Sequence, residues 1–159
     1  MDPLRFLGFD CGGTKTAWGI FLEDGTQVTA GQFPTPKDPD AFLQALKKVT
    51  DQQQPLAAIG IGVAGTVSAD HEDVLVCTNL PQLSHLQLAD FIHQDGQNLV
   101  TIDNDARCAL IGEVWQGAAQ ELRNAVMITL GTGVGGAVMQ KGRVRAVDLD
   151  GPHCASDSS

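Results

Sequence analysis

The sequence predicts an α/β fold in which a mixed β-sheet opens with three antiparallel strands. Two features lead to this prediction. Three short apolar segments near the start of the chain are joined by tight turns, and an amphipathic segment then leads to a continuous apolar one. A crossover of this kind is right-handed and returns the chain parallel to the first strand.

The opening meander is expected at 4–9, 16–22 and 27–33. A glycine-rich turn, CGGTK at 11–15, separates the first two segments. The dipeptide Asp24-Gly25 favours a hairpin turn before the third segment. These turns predict three antiparallel strands that follow one another in space.

The crossover helix is expected from Asp40, as its N-cap, to about Thr50, after the proline-rich segment 34–40. Its apolar face would comprise Phe42, Leu43, Leu46 and Val49. The apolar segment 55–65 that follows is typical of a central strand covered on both faces.

The second half of the chain continues the pattern. Residues 66–84 look irregular, and a helix is expected at 84–94 with Ser84 as its cap. A buried strand at 98–105 and a helix at 105–119 follow, with Trp115 packed against the sheet and Glu113 in a structural role. The last predicted strands, at 124–130 and 137–147, flank a second glycine loop and so repeat the opening of the chain.

Composition predicts a globular protein and argues against two classes of partner. The 159 residues are 43% hydrophobic and 18% charged, and ten Lys and Arg against nineteen Asp and Glu give a formal charge of −9. Such a charge repels nucleic acids and anionic membranes. The first residues show no leader pattern and no apolar run is long enough to cross a bilayer, so we expect a cytoplasmic protein.

The cysteines and histidines predict no metal centre. The four cysteines, at 11, 77, 108 and 154, stand far apart, which favours reduced thiols and no zinc site. Cys11 is expected to fill a tight turn, with a reactive thiol as the alternative. His71, His85 and His93 lack partners at ligand spacing and are expected on the surface.

Two glycine-rich turns, at 11–15 and 131–136, are candidate phosphate-binding loops. Consecutive glycines allow backbone amides to converge on an anion because no Cβ blocks its approach. Neither turn has P-loop spacing, and the GxGxxG match of the second lacks the acid expected of a dinucleotide site. Each loop alone is more often a plain hairpin turn. Two such hairpins in one chain favour paired phosphate loops.

Five segments carry a family pattern when they are taken together. They are GFDCGGTKT at 8–16, IGIGVAGTV at 59–67, TNLP at 78–81, DNDARCALIGE at 103–113 and MITLGTGVGGAV at 127–138. In this order and spacing they resemble the front half of a sugar kinase of the ROK family (repressors, open reading frames, kinases), within the actin/hexokinase/Hsp70 ATPase superfamily. The resemblance covers about residues 5–140.

The resemblance implies a ribonuclease H-like, actin-like ATPase fold with two similar lobes and ATP bound between them. Each lobe has a mixed sheet that opens as a meander and carries helices on both faces. On this chain we expect residues 1–119 to form the sugar-side lobe, 120–147 to begin the nucleotide-binding lobe with its first hairpin, and 148–159 to be a disordered tail.

The resemblance also implies roles for individual residues. Asp10 would position Mg²⁺ through water, and the phosphates of ATP would be bound by Gly12, Gly13, Thr14, Lys15, Gly131, Thr132, Gly133, Gly135 and Gly136. The hexose would be bound by Gly65, Asn79, Asn104 and Asp105.

Asp105 is the expected catalytic base. A sugar hydroxyl is a poor nucleophile, so a carboxylate must accept its proton as the γ-phosphoryl group arrives. An acid at the carboxyl end of a buried strand lies where the crevice of an α/β sheet opens. Alternatively Asp103, Asn104 and Asp105 cap the next helix, and both interpretations can hold together.

Several departures from the family pattern keep a second hypothesis open. The Glu-x-Gly-His segment, the zinc motif and the rest of the nucleotide lobe do not follow the second loop, and the tail after Gly142 has the character of a frameshifted or prematurely ended reading frame. We therefore expect a truncated or frameshifted glucokinase-like, ATP-dependent hexose kinase, or else a non-catalytic remnant that binds a sugar or a partner. A related acetylglucosamine-kinase type fits the second loop less well. Ala64 and Arg107 replace a common Pro and Asn, and the hexose is not specified.

The incomplete second lobe has a physical consequence. Five apolar residues of its first hairpin would have no cover: Val126, Ile128, Leu130, Val134 and Val138. We expect the chain to form homo-oligomers, to bind the missing lobe or another partner, or to be poorly ordered at this end.

Overall fold

The computed structural model describes residues 2–77, 80–92, 99–130 and 134–145. Its strands are β1 Arg5–Cys11, β2 Lys15–Leu22, β3 Gln27–Pro34, β4 Ala58–Val63, β5 Thr66–Val67, β6 Val74–Val76, β7 Leu99–Asn104, β8 Ala125–Leu130, β9 Val134–Gln140 and β10 Arg143–Arg145. Its helices are α1 Pro39–Gln53, α2 Leu88–Ile92 and α3 Asp105–Gln116, with a 3-10 turn at Pro81–Leu83. Within these residues, no helix has the length and apolarity needed to span a membrane.

The first sheet has the strand order β3-β2-β1-β4-β7. Strands β1, β2 and β3 pair antiparallel, which confirms the predicted meander. Strand β4 pairs parallel to β1, and β7 pairs parallel to β4. The predicted parallel crossover is therefore confirmed, and the carboxyl ends of β1, β4 and β7 lie along one edge of the sheet.

Helix α1 covers one face of this sheet with the predicted apolar side chains. Phe42, Leu43, Leu46 and Val49 are buried against residues of β1, β2, β4 and β7 in one core cluster. The predicted cap was wrong: Asp38, not Asp40, accepts a hydrogen bond from the amide of Ala41 at 2.8 Å. Pro39 can occupy the first helical position because that position needs no amide donor, so the helix begins one residue before Asp40.

Residues 66–84 are more regular than the sequence predicts. Strands β5 and β6 form a short antiparallel hairpin, and the 3-10 turn follows it. The expected helix start at Ser84 was wrong, since α2 begins at Leu88. The Ser84 hydroxyl instead accepts a hydrogen bond from the amide of Cys77 at 3.0 Å, which ties the turn to the end of β6.

The second sheet has the order β10-β9-β8. The single strand expected at 137–147 is two strands, because a turn at Lys141 and Gly142 reverses the chain and Gly142 has a φ of 77°. Strand β9 begins at Val134, so Gly135 and Gly136 lie within it, opposite Thr129 and Ile128.

Helix α3 links the two sheets. It starts directly after β7, but its buried side chains Ala106 and Leu110 pack with Ala137 and Met139 of β9 in a second core cluster. Trp115, expected to pack against the first sheet, is 49% exposed at the rim of an apolar groove that Phe6 and Phe21 also line. Glu113 has the expected structural role, because its carboxylate accepts a hydrogen bond from the amide of Ala118 at 2.7 Å.

The outer face of the second sheet is apolar and exposed. The exposed fractions are 72% for Val126, 66% for Ile128, 82% for Leu130 and 73% for Val134. These four agree with the sequence expectation, whereas Val138 is half-buried. Among the described residues, strand β8 is also an edge strand, and such an edge offers unpaired backbone groups next to this face.

We expect this face to make the isolated chain associate with itself. Replacing Ile128 by Lys places a charge in the centre of the face and should shift sedimentation toward the monomer, because burying an unpaired charge opposes association. Leu122→Lys is the matched control, since Leu122 is 50% exposed and lies outside the sheet. A wild-type chain that sediments as a monomer at all concentrations would contradict the expectation.

Two buried threonines join the first glycine turn to the end of β3. The Thr16 and Thr35 hydroxyls lie 2.9 Å apart in a hydrogen bond, and both side chains are buried. The Thr35 hydroxyl donates to the carbonyl oxygen of Gly12 at 2.7 Å, so Thr16 donates to Thr35. The Thr35 amide donates to the carbonyl oxygen of Thr14 at 3.0 Å. The turn is therefore held from behind by residues far away in sequence.

Thr35→Val should lower the free energy of unfolding by about 1–3 kcal/mol, because it leaves the buried Thr16 hydroxyl and the Gly12 carbonyl without their partner. Urea unfolding of the purified chain measures the change. Thr35→Ser keeps the hydroxyl and should lose clearly less stability. Equal midpoints for the valine variant and the wild type would exclude this role for the hydroxyl.

Candidate functional site

The candidate site lies at the carboxyl edge of the first sheet. The strand register places Asp10 of β1, Gly62 of β4 and Asp103 of β7 in one row across three parallel strands. Asn104 ends β7 and Asp105 begins α3. The three acidic residues that the sequence singles out are thus gathered at one edge because their strands run parallel and in step.

The first glycine turn lies beside this edge, between Asp10 and β2. Its carbonyl oxygens face the segment after β3: Gly12 accepts from Thr35, and Gly13 accepts from the Lys37 ammonium at 2.7 Å. A Cβ at Gly12 would lie 2.9 Å from the carbonyl oxygen of Lys15, so only glycine fits. In the described part of the chain, the amides of Gly13 and Thr14 donate to no backbone acceptor. Free amides next to two lysines, Lys15 and Lys37, are suited to an anion.

Asp105 is held at the first position of α3. One of its carboxylate oxygens accepts a hydrogen bond from the amide of Ala106 at 2.8 Å. Burial raises the pKa of the Asp105 carboxyl, and the nearby charge of Asp10 raises that pKa further, against the lowering by the Ala106 amide. A carboxylate whose pKa lies above the usual range for aspartate is a better proton acceptor near neutral pH.

Asn104 is the N-cap of α3, which confirms the capping interpretation for this residue. Its side-chain oxygen accepts from the amides of Ala106 at 3.1 Å and Arg107 at 3.3 Å. Its side-chain nitrogen donates to the carbonyl oxygen of Gly65 at 3.1 Å. One N–H of this amide group is left for a ligand, so a contact with a sugar hydroxyl stays compatible with capping.

Gly65 links the end of β4 to the β5–β6 hairpin. A Cβ at this position would overlap the carbonyl oxygen of Val76, so the close approach of β6 already requires a glycine. The Gly65 carbonyl accepts the hydrogen bond from Asn104, which brings the hairpin to the site. Close packing against β6 thus explains why position 65 is a glycine, in addition to the expected contact with sugar.

Four residues of the predicted site lie outside the described residues: Asn79, Gly131, Thr132 and Gly133. His93, expected on the surface, also lies outside them. Gly135 and Gly136 lie in β9, whose sheet packs on α3 just after Asp105. The beginning of β9 is therefore close to the helix that carries Asp105.

The cysteines near the site are structural. Cys11 is the last residue of β1 and is buried in the core, so it does not fill the turn as expected. Burial together with the charge of Asp10 raises the pKa of its thiol, which disfavours the reactive interpretation. Burial, followed by the charges of Asp103 and Asp105, raises the pKa of Cys108 to about 11. Within the described ranges, no group of three or more His, Cys, Asp and Glu residues could hold a metal ion.

The sequence analysis did not predict two polar side chains next to Asp103, those of Arg107 and His71. The Arg107 Nε lies 2.9 Å from one carboxylate oxygen of Asp103 and 3.1 Å from the other. His71, expected on the surface, is half-buried, with its Nδ1 2.9 Å from the carbonyl oxygen of Ile102. The four-residue spacing of Asp103 and Arg107 was a signal for the ion pair, but no local pattern points from His71 to β7.

Comparison with known proteins identifies the family. The model of the ROK family matches residues 6–147. Glucokinase of Streptomyces coelicolor is 32% identical over 142 residues, which cover 87% of this chain and 44% of that protein. The N-acetyl-D-glucosamine kinase of Yersinia pestis bv. Antiqua is 32% identical over 144 residues, with 87% and 56% covered. The chain thus spans about half the length of these relatives.

Solved structures agree with the sequence relatives. A ROK family glucokinase from Streptomyces griseus, in complex with glucose and AMPPNP, superposes with a TM-score of 0.82 and 32% identity, covering 89% of this chain and 46% of that one. The ROK hexokinase of Thermus thermophilus superposes with a TM-score of 0.76 and 28% identity, covering 89% and 49%. The predicted α/β, actin-like ATPase fold is confirmed by these similarities. The chain belongs to the ROK family, and it corresponds to the N-terminal portion of its sugar-kinase relatives.

Proposed function

We propose that this chain carries the sugar-binding and proton-accepting half of an ATP-dependent hexose kinase. The observation that carries the proposal is the position of Asp105: it has a raised pKa and stands at the carboxyl edge of three parallel strands, beside Asp10 and near the first glycine turn. The glucokinases among the relatives, one of them in complex with glucose and AMPPNP, support the same chemistry.

In this proposal the sugar lies against the edge formed by Gly65, Asn104 and Asp105. The remaining N–H of the Asn104 amide donates to one sugar hydroxyl and so orients the ring. Asp105 accepts the proton of the attacking hydroxyl, and its partly buried position raises the pKa of this carboxyl, which makes its carboxylate a stronger base. Asn79 would add a further contact from the segment after β6.

The residues of the first turn fit a phosphate group. The free amides of Gly13 and Thr14 and the lysines at 15 and 37 would bind phosphate oxygens of ATP. The second phosphate loop would be supplied by Gly131, Thr132, Gly133, Gly135 and Gly136. Asp10 would hold Mg²⁺ through water, as expected for a cation that keeps most of its hydration shell. The metal ion supplies charge neutralisation of the phosphates during transfer.

The second candidate function is the binding of a sugar or a partner without turnover, which needs only the residues at the carboxyl edge of the first sheet. Glucose binding is expected of both functions and does not separate them. ATP-dependent phosphorylation is expected of the kinase alone. The two measurements are therefore made on the same preparation.

We expect glucose to bind the isolated chain at the edge of the first sheet. In an NMR titration, the amide signals of Gly65, Asn104 and Ala106 should shift together, and those of α1 should not. The enantiomer L-glucose controls for viscosity and nonspecific effects. Uniform shifts, or none at millimolar glucose, would refute the sugar site.

Asp105→Asn should remove the proton acceptor and leave the fold intact. If the wild type turns over, the variant should phosphorylate glucose about 100-fold more slowly or worse, because general-base catalysis contributes about that much. Its glucose affinity should stay close to that of the wild type, since the amide keeps the shape and the acceptor for Ala106. Undiminished turnover would remove Asp105 from this role.

The same variant should be at least as stable as the wild type at pH 7. The pKa of Asp105 is raised in the folded state, so its ionised form opposes folding, and this penalty is present above the folded pKa. The difference between variant and wild type should shrink as pH falls through the folded pKa and disappear below the usual value of about 3.9, where both states of the wild type bind the proton. Urea unfolding at several pH values measures it; a variant that loses stability only at high pH would contradict the sign.

A further inference from the structure

We propose that Asp103 is a positioning residue for the sugar edge, and that Arg107 and the loop carrying His71 hold it in place. This inference rests on the proposed function, because it assigns a role in sugar binding to residues that do not themselves face the sugar. It is carried by a chain of hydrogen bonds that joins β7, α3 and the β5–β6 hairpin.

The first link runs from Asp103 to Asn104. One carboxylate oxygen of Asp103 accepts a hydrogen bond from the backbone amide of Asn104 at 2.7 Å. The same Asn104 side chain caps α3 and binds the Gly65 carbonyl. The carboxylate of Asp103 therefore fixes the backbone at the point where the strand ends, the helix begins and the hairpin is attached.

The second link is the ion pair with Arg107, one helical turn along α3. The guanidinium Nε contacts both carboxylate oxygens, and only 14% of the Asp103 side chain and 17% of the Arg107 side chain are exposed. Removing one partner of a poorly hydrated pair costs more than the loss of an exposed pair, because the other charge stays partly buried. The pair thus resists rotation of Asp103 away from the Asn104 amide.

The third link is the turn between β5 and β6. The amide of Ile102 donates to the His71 carbonyl at 2.8 Å, and the His71 Nδ1 lies 2.9 Å from the Ile102 carbonyl and 3.9 Å from the Asp103 carboxylate. His71 adopts a φ of 63°, a conformation that non-glycine residues seldom take without supporting contacts. The turn is thus bonded to the outer edge of β7 at Ile102, next to Asp103.

These links give Asp103 a defined task. A sugar site needs its donors and acceptors held within a fraction of an ångström, since small displacements weaken every contact at once. Asn104 and Gly65 are the residues that Asp103 holds, and Asp105 follows them directly. Asp103 therefore acts on the sugar through the geometry of its neighbours.

The experiment compares glucose affinity and amide hydrogen exchange in Asp103→Ala, Arg107→Met and Arg107→Lys. In Asp103→Ala, the amides of Asn104 and Ala106 should exchange about tenfold faster or more, and glucose should bind about tenfold more weakly. Arg107→Met should produce a smaller change in the same direction. Arg107→Lys, which keeps the charge, should recover part of the loss.

Two control variants separate positioning from general destabilisation. Asp51→Asn breaks another pair at four-residue spacing, in which the Lys47 ammonium lies 3.2 Å from Asp51 on α1. Val49→Ala removes buried methyl groups from the same helix and lowers stability without touching the site. Both should leave glucose affinity and the exchange of Asn104 unchanged under conditions where the protein is folded.

The outcomes are distinguishable. If the wild type does not bind glucose, the proposed function fails. The hydrogen exchange rate of the Asn104 amide then still decides whether Asp103 holds the junction between β7 and α3. Unchanged exchange in Asp103→Ala overturns the positioning role, and so does faster exchange with an unchanged glucose affinity. A loss of affinity in Val49→Ala as large as in Asp103→Ala would also overturn it, because the effect would then be one of stability alone.

Discussion

The parallel register of β1, β4 and β7 is the constraint on which the rest of the site depends. It brings Asp10, Gly62 and Asp103 into one row, although about two thirds of the described chain lies between Asp10 and Asp103. A shift of one residue in either pairing would move the acids to different faces, because side chains alternate along a strand. Ile59, Ile61 and Val63 oppose such a shift, since all three would leave the core. Core packing and site geometry are therefore set by the same strand.

The meander and the crossover could be predicted because their signals are local. Asp24-Gly25 and the continuous apolar segment of β4 each indicate their structure within a few residues. The β5–β6 hairpin could not be predicted, because β5 has two residues and β6 has three, and neither shows a strand pattern. Its position depends on contacts with β7 that lie about 30 residues away in sequence. The contact of the His71 side chain with β7 was hidden for the same reason, whereas Gly65 was expected at the site from the family resemblance.

Helix α3 shows how one segment can serve both sheets. Its apolar residues do not form a strong single stripe, since its first turn must accommodate Asp105 and Arg107 while Ala106 and Leu110 face β9. The sequence predicts its start well, because a strand that ends in Asp-Asn-Asp supplies both the cap and the first-turn acid. It does not reveal which sheet the helix packs on. That choice is made by small residues, Ala106 against Ala137, which allow close approach.

The internal repeat of strand, glycine turn and strand explains why the two sheets differ in their exposed surface. When the two glycine turns are aligned, Leu7, Phe9 and Cys11 of β1 correspond to Val126, Ile128 and Leu130 of β8. The first three are covered by the crossover helix that follows the meander, and the second three are exposed. Strand β8 therefore matches β1 as the first strand of a repeated unit, and it is apolar on both faces for the same reason. Its inner face packs on α3, and its outer face is suited to a covering helix. A small sheet buries little apolar surface by itself and is stabilised by packing against a helix. The described part of the second unit supplies cover on one side only, and α3, which also carries Asp105 at the carboxyl edge of the first sheet, is what stabilises it.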